Sequence, residues 1–215
     1  MIIGKNEIKD YGWIESKTQA HDYLLPCIIN SLNKLPVSKN DFILDAGCGG
    51  GYLMDRLNKF GYKNIFGFDI SKSGIEIAKK NFKDISDNSV VHNAYEKILP
   101  EYFPDKFDLV ISTEVIEHLY SPHDYLENIN SWLKPKGFLI LTTPYHGYFK
   151  NMSIALFNKF DEHFNPLWEG GHIKFFSKST LSELLKSNGF EQIKFLGCGR
   201  IPYLWKSMMI IGEKV

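Results

Sequence analysis

The sequence predicts an α/β fold: a doubly wound, mostly parallel sheet of seven strands with an antiparallel last strand. Short apolar runs alternate with segments of helical periodicity, which is the pattern of parallel strands joined by helical crossovers. The last two apolar runs are joined by a tight segment that contains glycines and a proline, so the final strand is expected to be antiparallel. In a chain of 215 residues, these elements are expected to form one domain over 1–215.

Each element follows from a local pattern. An apolar stripe over 18–35, closed by Pro36, predicts the first helix. Ser121 before Pro122 is a typical start of a helix, and Ser177 and Gly189 bracket another as its N-cap and C′ residue. These two helices are expected at 122–132 and 178–188, and two others at 50–60 and 72–83. Strands are expected at 42–46, 65–69, 89–92, 107–112, 137–143, 191–196 and 204–212.

The alternation is interrupted at 144–176, a stretch rich in aromatic residues with a short helix expected at 151–160. In open α/β sheets, ligands bind beyond the carboxyl ends of the strands, and this insertion follows the fifth strand at that edge. Long structured loops in compact domains are often functional. We therefore predict that 144–176 is a substrate lid, the alternative being a packed cap that completes the core.

Composition excludes several functions. The chain carries 25 basic and 25 acidic side chains, so its formal net charge of zero offers no electrostatic footprint for long nucleic acid. The three cysteines, Cys27, Cys48 and Cys198, form no C-x-x-C pair and are typical of reduced thiols in a cytoplasmic protein. The first residues lack the pattern of a signal peptide, and no apolar run is long enough for a membrane span.

A glycine-dense turn between two acids is the most informative motif. Asp45 ends the first strand, the loop at 47–51 follows, and Asp69 ends the second strand. Glycines allow the backbone to approach a ligand closely, and an acid at the end of the second strand can accept hydrogen bonds from ribose hydroxyls. The spacing is G-x-G-x-G, with Tyr52 where a dinucleotide fingerprint has its third glycine, which argues against a nicotinamide oxidoreductase. The P-loop pattern is absent as well.

This arrangement resembles the class I S-adenosylmethionine-dependent methyltransferases. The resemblance implies that the glycine loop wraps the methionine part of S-adenosylmethionine, that Asp69 binds the ribose and that the adenine lies after the third strand. The implied cofactor-binding residues are Asp45, Gly47, Cys48, Gly49, Gly51, Asp69, Ile70, Asn93, Ala94 and Thr113. It also implies that the region 1–36, with Tyr11, Trp13, Tyr23 and the basic candidates Lys17 and His21, covers the cofactor; a packed start of an amphipathic helix is the alternative.

After the fourth strand the chain reads E-V-I-E-H. If Glu114 opens a helical turn, Glu117 and His118 share its face. Here the chain most closely resembles the ubiquinone-biosynthesis O-methyltransferase group; plant-type small-RNA 2′-hydroxyl methyltransferases share the element and use it with a later histidine to hold a divalent metal. His172 is similar to that histidine, so the implied metal ligands are Glu114, Glu117, His118 and His172. Structural roles in packing, capping or cofactor contact are the alternative.

Together these features predict O-methylation of a small, partly apolar molecule that bears a hydroxyl group. The predicted catalytic residues are His118, Glu117 and His146, with His118 as the base if no metal is bound. The Asp/Asn-Pro-Pro-Tyr signature of amine methylation is absent after the fourth strand. A non-catalytic S-adenosylmethionine-binding protein and a 2′-O-methyltransferase acting on an RNA end are the alternatives.

Overall fold

The computed structural model describes residue 10 and residues 12–215 of the chain. Its seven strands form one sheet. They are β1 (Phe42–Ala46), β2 (Asn64–Asp69), β3 (Ser89–Val91), β4 (Phe107–Thr113), β5 (Leu133–Pro144), β6 (Phe190–Cys198) and β7 (Ser207–Lys214). The helices are α1 (His21–Leu32), α2 (Tyr52–Lys59), α3 (Lys72–Asn81), α4 (Pro122–Trp132), α5 (Tyr148–Leu156), α6 (Phe160–His163) and α7 (Lys178–Ser187).

The order of the strands is β3-β2-β1-β4-β5-β7-β6, and the chain reverses its direction of travel across the sheet between β3 and β4. All pairs from β3 to β5 are parallel, whereas β7 runs antiparallel to both of its neighbours, β5 and β6. The predicted fold is confirmed, including the antiparallel last strand. The carboxyl ends of β1, β2 and β4 consequently meet at one edge, where a crevice for a ligand is expected.

The sheet is covered on both faces because successive side chains of its strands point in opposite directions. In β4, Leu109 and Ile111 belong to one buried cluster and Val110 to the other. One face packs against α1 and α2, and the other packs against α4 and α7. A continuous apolar run such as 107–112 is therefore a strand buried on both sides.

Several of the sequence-based boundaries are shifted by up to about three residues, and two further differences are larger. β5 begins at Leu133, before the predicted start at 137, and its register against β4 shifts near Phe107. In the insertion, the expected helix at 151–160 is divided into α5 and α6 around Asn158, whose φ of 52° is incompatible with a continuous helix. None of the helices in the described part of the chain is long and apolar enough to cross a bilayer.

Candidate active site

The glycine loop after β1 has a backbone that only glycine adopts readily. Gly47, Gly49 and Gly51 have φ values of 88°, 50° and 75°. A Cβ atom on Gly47 would lie 2.3 Å from Cγ2 of Val115. The Gly47 amide donates a hydrogen bond to the Phe68 carbonyl at 2.8 Å, which joins the loop to β2. The loop is thus held tightly at the carboxyl ends of β1 and β2.

Asp69 is fixed at the end of β2 by two backbone amides. Its Oδ2 accepts from the Gly49 amide and its Oδ1 from the Ser71 amide, both at 2.8 Å. Burial raises the pKa of Asp69, and these two hydrogen bonds oppose that rise. Because each carboxylate oxygen has more than one lone pair, Asp69 can accept further hydrogen bonds from a ligand.

Asp45 is buried beneath the loop, with 1% of its surface exposed. Neither of its carboxylate oxygens has a hydrogen-bond partner among the residues that the structure describes. Burial, and secondly the charge of Asp69, raise the pKa of Asp45 to about 8. A buried polar group without a partner is costly, so this pair of oxygens fits a ligand that brings donors or positive charge.

Replacing Asp45 with asparagine is expected to stabilise the cofactor-free protein. With a pKa near 3.8 when unfolded and about 8 when folded, Asp45 holds its proton only in the fold, so its cost to folding grows as pH rises from about 4 to 8. The gain in Tm of Asp45→Asn over the parent should therefore be larger at pH 8 than at pH 5. Asp55→Asn is the matched control, because Asp55 is also buried but is ion-paired with Arg56 and Lys59. An equal gain at both pH values would contradict the prediction.

The chain before α1 lies across the glycine loop. A Cβ atom on Gly49 would be 2.4 Å from the Trp13 ring, and the Trp13 amide donates to Ser73 Oγ at 2.9 Å. Lys17 pairs with Asp22 at 2.5 Å. Coverage of a cofactor by this region stays a prediction, and Tyr11 lies outside the described residues.

The other predicted cofactor residues occupy the same edge of the sheet. Ile70 directly follows Asp69, and Thr113 is the last residue of β4. Asn93 Oδ1 accepts from the Tyr95 amide at 3.0 Å, and the Ala94 carbonyl accepts from Asn128 at 3.0 Å. These two bonds order the turn after β3, where the adenine is expected. Cys48 is buried in the glycine loop, and its pKa is raised by burial.

A second group of side chains meets beside the turn that follows β4. Ligand-type atoms of Glu117, His118 and His172 all lie within 4.8 Å of one another. His172 Nε2 is 3.9 Å from Glu117 Oε1, and the two imidazole rings are 4.8 Å apart. The amides of Ile173 and Lys174 both donate to the Glu117 carbonyl at 2.9 Å, which fixes the end of the insertion on this turn.

The electrostatics of this group suit a cation. Glu117 is fully buried; its Oε2 accepts from Thr143 Oγ1 at 3.0 Å, while Oε1 has no hydrogen-bond partner within the described part of the chain. Burial, and secondly Glu114, raise the pKa of Glu117 well above its ordinary value. Burial lowers the pKa of His172 to about 4 and also lowers that of His118, so both rings are neutral near pH 7.

His118 is oriented by the insertion. Its Nδ1 lies 2.7 Å from the Gly170 carbonyl. Because a carbonyl can only accept, Nδ1 carries the proton in the neutral ring and Nε2 carries the lone pair. A hydrogen bond of this kind commonly orients metal-ligating histidines. The rings of Trp168 and His118 are 5.8 Å apart.

Glu114 does not join the group, and the prediction that it opens a helical turn is wrong. Its φ is 55°, and the turn is a short 3₁₀ helix over Ile116–His118. The left-handed backbone directs the carboxylate to β5 and β7, where it accepts from Thr142 Oγ1 at 2.9 Å and Ser207 Oγ at 3.0 Å. Glu114 is therefore absent from the cluster of Glu117, His118 and His172.

His146 lies in the same region but outside the cluster. Its Nδ1 is 3.2 Å from Asn151 Oδ1, and its ring contacts Phe164 and Phe175. Burial lowers the pKa of His146 to about 4. Its charge would lower the pKa of His172, so the two rings are electrostatically linked.

Lys150 is a residue that the sequence did not single out. It is only 7% exposed, and its Nζ donates to the Lys206 carbonyl at 3.0 Å. Burial, and secondly the charge of Arg200, lower the pKa of Lys150 to about 8. Its charge acts on Glu114 and on His172. From the sequence alone, a lysine in a short amphipathic helix is expected to be solvated, so only the tertiary fold shows that Lys150 is buried.

The aromatic residues of the insertion differ in their exposure to solvent. Tyr145 is buried, with its ring 5.1 Å from that of Trp205. Tyr148 is 75% exposed, and Phe149 and Trp168 are each 51% exposed. The insertion therefore presents apolar surface to the solvent next to the cluster, while its role as a lid stays a prediction.

Comparison with known proteins identifies the family. A family profile described as a methyltransferase domain matches residues 23–194. The chain belongs to the class I S-adenosylmethionine-dependent methyltransferases. This methyltransferase is 34% identical over 168 residues to the human mitochondrial ubiquinone biosynthesis O-methyltransferase, covering 75% of the chain but 44% of the relative. It is 26% identical to the ubiquinone biosynthesis O-methyltransferase of Hydrogenovibrio crunogenus, covering 86% and 76% of the two chains.

Solved structures support the fold of the methyltransferase. Magnesium protoporphyrin IX methyltransferase from Synechocystis, with S-adenosylhomocysteine bound, has a TM-score of 0.67 at 16% identity and covers 89% of this chain and 82% of its own. The methyltransferase spans less than half the length of the human relative. Its cofactor is S-adenosylmethionine, and the glycine loop, fixed Asp69 and unpartnered Asp45 fit that group.

Proposed function

We propose that this methyltransferase transfers the methyl group of S-adenosylmethionine to an oxygen atom of a small, partly apolar molecule. The observation that carries the proposal is the cluster of Glu117, His118 and His172, which combines an unpartnered carboxylate oxygen with two neutral imidazoles. The names of the two ubiquinone biosynthesis O-methyltransferases support oxygen as the accepting atom.

The cofactor is proposed to lie along the edge formed by β1, β2 and β3. The methionine part follows the loop of Gly47, Gly49 and Gly51, the ribose hydroxyls bind Asp69, and the adenine lies by Asn93. Asp69 suits its role because two backbone amides hold its carboxylate in place. Asp45, Cys48, Ile70, Ala94 and Thr113 complete the proposed site.

Glu117, His118 and His172 are proposed to hold a divalent cation. Two nitrogens and a carboxylate oxygen suit Mn²⁺, Fe²⁺ or Zn²⁺ better than Mg²⁺, which prefers oxygen. Such an ion, when bound, would lower the pKa of an acceptor hydroxyl. Thr143 keeps one oxygen of Glu117 fixed by its hydrogen bond, so the unpartnered Oε1 is directed to the two rings. Without an ion, His118 remains the proposed base because its lowered pKa keeps Nε2 able to accept a proton.

The acceptor is proposed to be partly apolar because an exposed aromatic ring lies beside the cluster and the same insertion carries further exposed rings. The Trp168 ring lies 5.5 Å from that of His172, and half of its surface is exposed. Tyr148 and Phe149 add exposed rings on α5. Exposed aromatic groups beside polar groups are typical of a site that binds a molecule with an apolar part and a polar part. A formal net charge of zero likewise favours a small acceptor over long nucleic acid.

Removing the charge of Lys150 is expected to impair the acceptor side of the site. Lys150→Met should leave the Kd for S-adenosylhomocysteine within about twofold, because Lys150 Nζ donates to the Lys206 carbonyl just before β7, and not to the glycine loop. It should lower kcat/KM for the acceptor roughly tenfold, by about 1.4 kcal/mol, since the ammonium acts on Glu114 and His172. Lys159→Met, on an exposed lysine of the same insertion, is the control. Equal losses in cofactor and acceptor binding would point to a purely structural role.

The metal proposal is tested by calorimetric titration of the chelator-treated protein with Mn²⁺ and with Zn²⁺. We expect a single site that is lost in His172→Asn and kept in His163→Asn, because His163 Nδ1 lies 3.1 Å from the Lys159 carbonyl and His163 is not part of the cluster. Chelation should also lower methyl transfer, and the added ion should restore it. Unchanged ion binding in His172→Asn would refute the proposed ligand set.

A further inference from the structure

Two of the three thiols meet where α1 packs against the end of β6. Cys198 is the last residue of β6 and is fully buried, whereas Cys27 lies in α1 and is partly exposed. Cys27 packs against the buried cluster that contains Cys198, and each thiol shifts the pKa of the other. They are separated by most of the chain, so only the fold brings them together.

The packing around this pair fixes the contact. Tyr23 lies one helical turn before Cys27, so the two side chains share a face of α1. The Tyr23 ring packs on the residue next to Cys198, since a Cβ on Gly199 would be 3.1 Å from Tyr23 Cγ. The Tyr23 hydroxyl is 3.0 Å from Ser207 Oγ at the start of β7. These contacts hold α1 against the β6–β7 connection and keep Cys27 beside Cys198.

The two thiols differ in reactivity. The interaction with the Cys198 thiol lowers the pKa of Cys27 to about 7, and the same interaction raises the pKa of Cys198. Cys27 is thus the more acidic and the more accessible of the two. An accessible thiolate next to a second cysteine is the arrangement of redox-sensitive pairs.

We propose that Cys27 and Cys198 form a reversible disulfide that links α1 to β6 when the protein meets a peroxide. The Cys27 thiolate attacks one peroxide oxygen, the O–O bond breaks, and hydroxide leaves with the bonding electrons, giving a sulfenic acid. The Cys198 sulfur then attacks the Cys27 sulfur, the S–O bond breaks, and water leaves with the Cys198 proton. Two thiols are oxidised and one peroxide is reduced. A dithiol reductant then reduces the disulfide back to two thiols.

The link would hold α1 against the β6–β7 connection beside the candidate acceptor site. Ser207, which contacts Tyr23, also donates to Glu114 Oε2 at 3.0 Å. The segment before α1 carries Trp13 over the glycine loop. Oxidation therefore restrains the motion of α1, which lies between the segment that carries Trp13 and the contact of Tyr23 with Ser207.

The test is a count of thiols in the full chain after hydrogen peroxide treatment and denaturation. We expect the number of titratable thiols to fall from three to one and to return to three with dithiothreitol. A non-reducing peptide map should link the peptides of Cys27 and Cys198. Cys27→Ser should keep both of its thiols under the same treatment, whereas Cys198→Ser should lose one of its two thiols to a sulfenic acid at Cys27 without forming a disulfide. Only the parent should gain several degrees in Tm on oxidation.

Alkylation of the unmodified parent makes the test independent of how well the variants fold. Limited treatment with iodoacetamide near pH 7 should label Cys27 before Cys48 and Cys198, and peroxide should prevent that labelling. Retention of all three thiols, a disulfide between Cys27 residues of two copies, or oxidation of Cys27 with no bond to Cys198 would each overturn the proposal.

Discussion

Replacing Glu117 with glutamine is expected to lower kcat/KM about 100-fold or more at low concentrations of divalent ion. Glutamine has the same size and can still accept from Thr143, but it lacks the anionic oxygen that faces His172. Raising the Mn²⁺ concentration should recover part of the activity. The measurement is a set of initial rates over a range of Mn²⁺ concentrations.

Glu162→Gln is the matched control for this prediction, because Glu162 lies in the same insertion and forms its ion pair with the exposed Lys159. It should behave like the parent at every ion concentration. A loss in Glu117→Gln that does not change with the ion concentration would show that Glu117 acts through packing rather than as a ligand.

Replacing Asp69 with alanine is expected to weaken the binding of S-adenosylhomocysteine by about 10- to 150-fold, equivalent to roughly 1.5–3 kcal/mol. The change removes a charged acceptor for two hydroxyls and also the partner of the Gly49 and Ser71 amides. Asp69→Asn keeps one acceptor oxygen and should give a smaller loss. Calorimetric titration measures both.

Asp87→Ala is the control for the Asp69 variants, since Asp87 is an exposed acid in the 3₁₀ helix that follows α3. Its affinity should equal that of the parent. If Asp69→Ala also binds like the parent, the ribose is not on Asp69.

The fold could be predicted from the sequence because the pattern of each element agrees with its place in the sheet. The run at 107–112 is apolar throughout because β4 is covered on both faces. Ser177 and Gly189 marked the ends of α7, and the structure has Ser177 as its N-cap. The split of the insertion into α5 and α6 was missed, since it depends on a left-handed residue, Asn158, that is not a glycine.

The candidate site could be predicted only where spacing determines proximity. Glu117 and His118 are neighbours in the chain, and the structure brings His172 to them through two hydrogen bonds from the insertion to the Glu117 carbonyl. Glu114 was misplaced because a φ of 55° cannot be read from a spacing rule. Lys150 was overlooked because its hydrogen-bond partner, the Lys206 carbonyl, follows it by more than fifty residues in the chain.

The central claim, methyl transfer to an oxygen atom of a small, partly apolar molecule, is tested most directly with S-adenosylmethionine that carries a deuterated methyl group. Catechol and a 4-alkylcatechol are the acceptors, and the products are analysed by mass spectrometry. The account predicts a trideuteromethyl ether, a higher kcat/KM for the alkylated acceptor, and loss of product in Glu117→Gln. Binding of S-adenosylhomocysteine with no transfer to either catechol, or transfer only to the 2′-hydroxyl of a short RNA end offered in parallel, would contradict it.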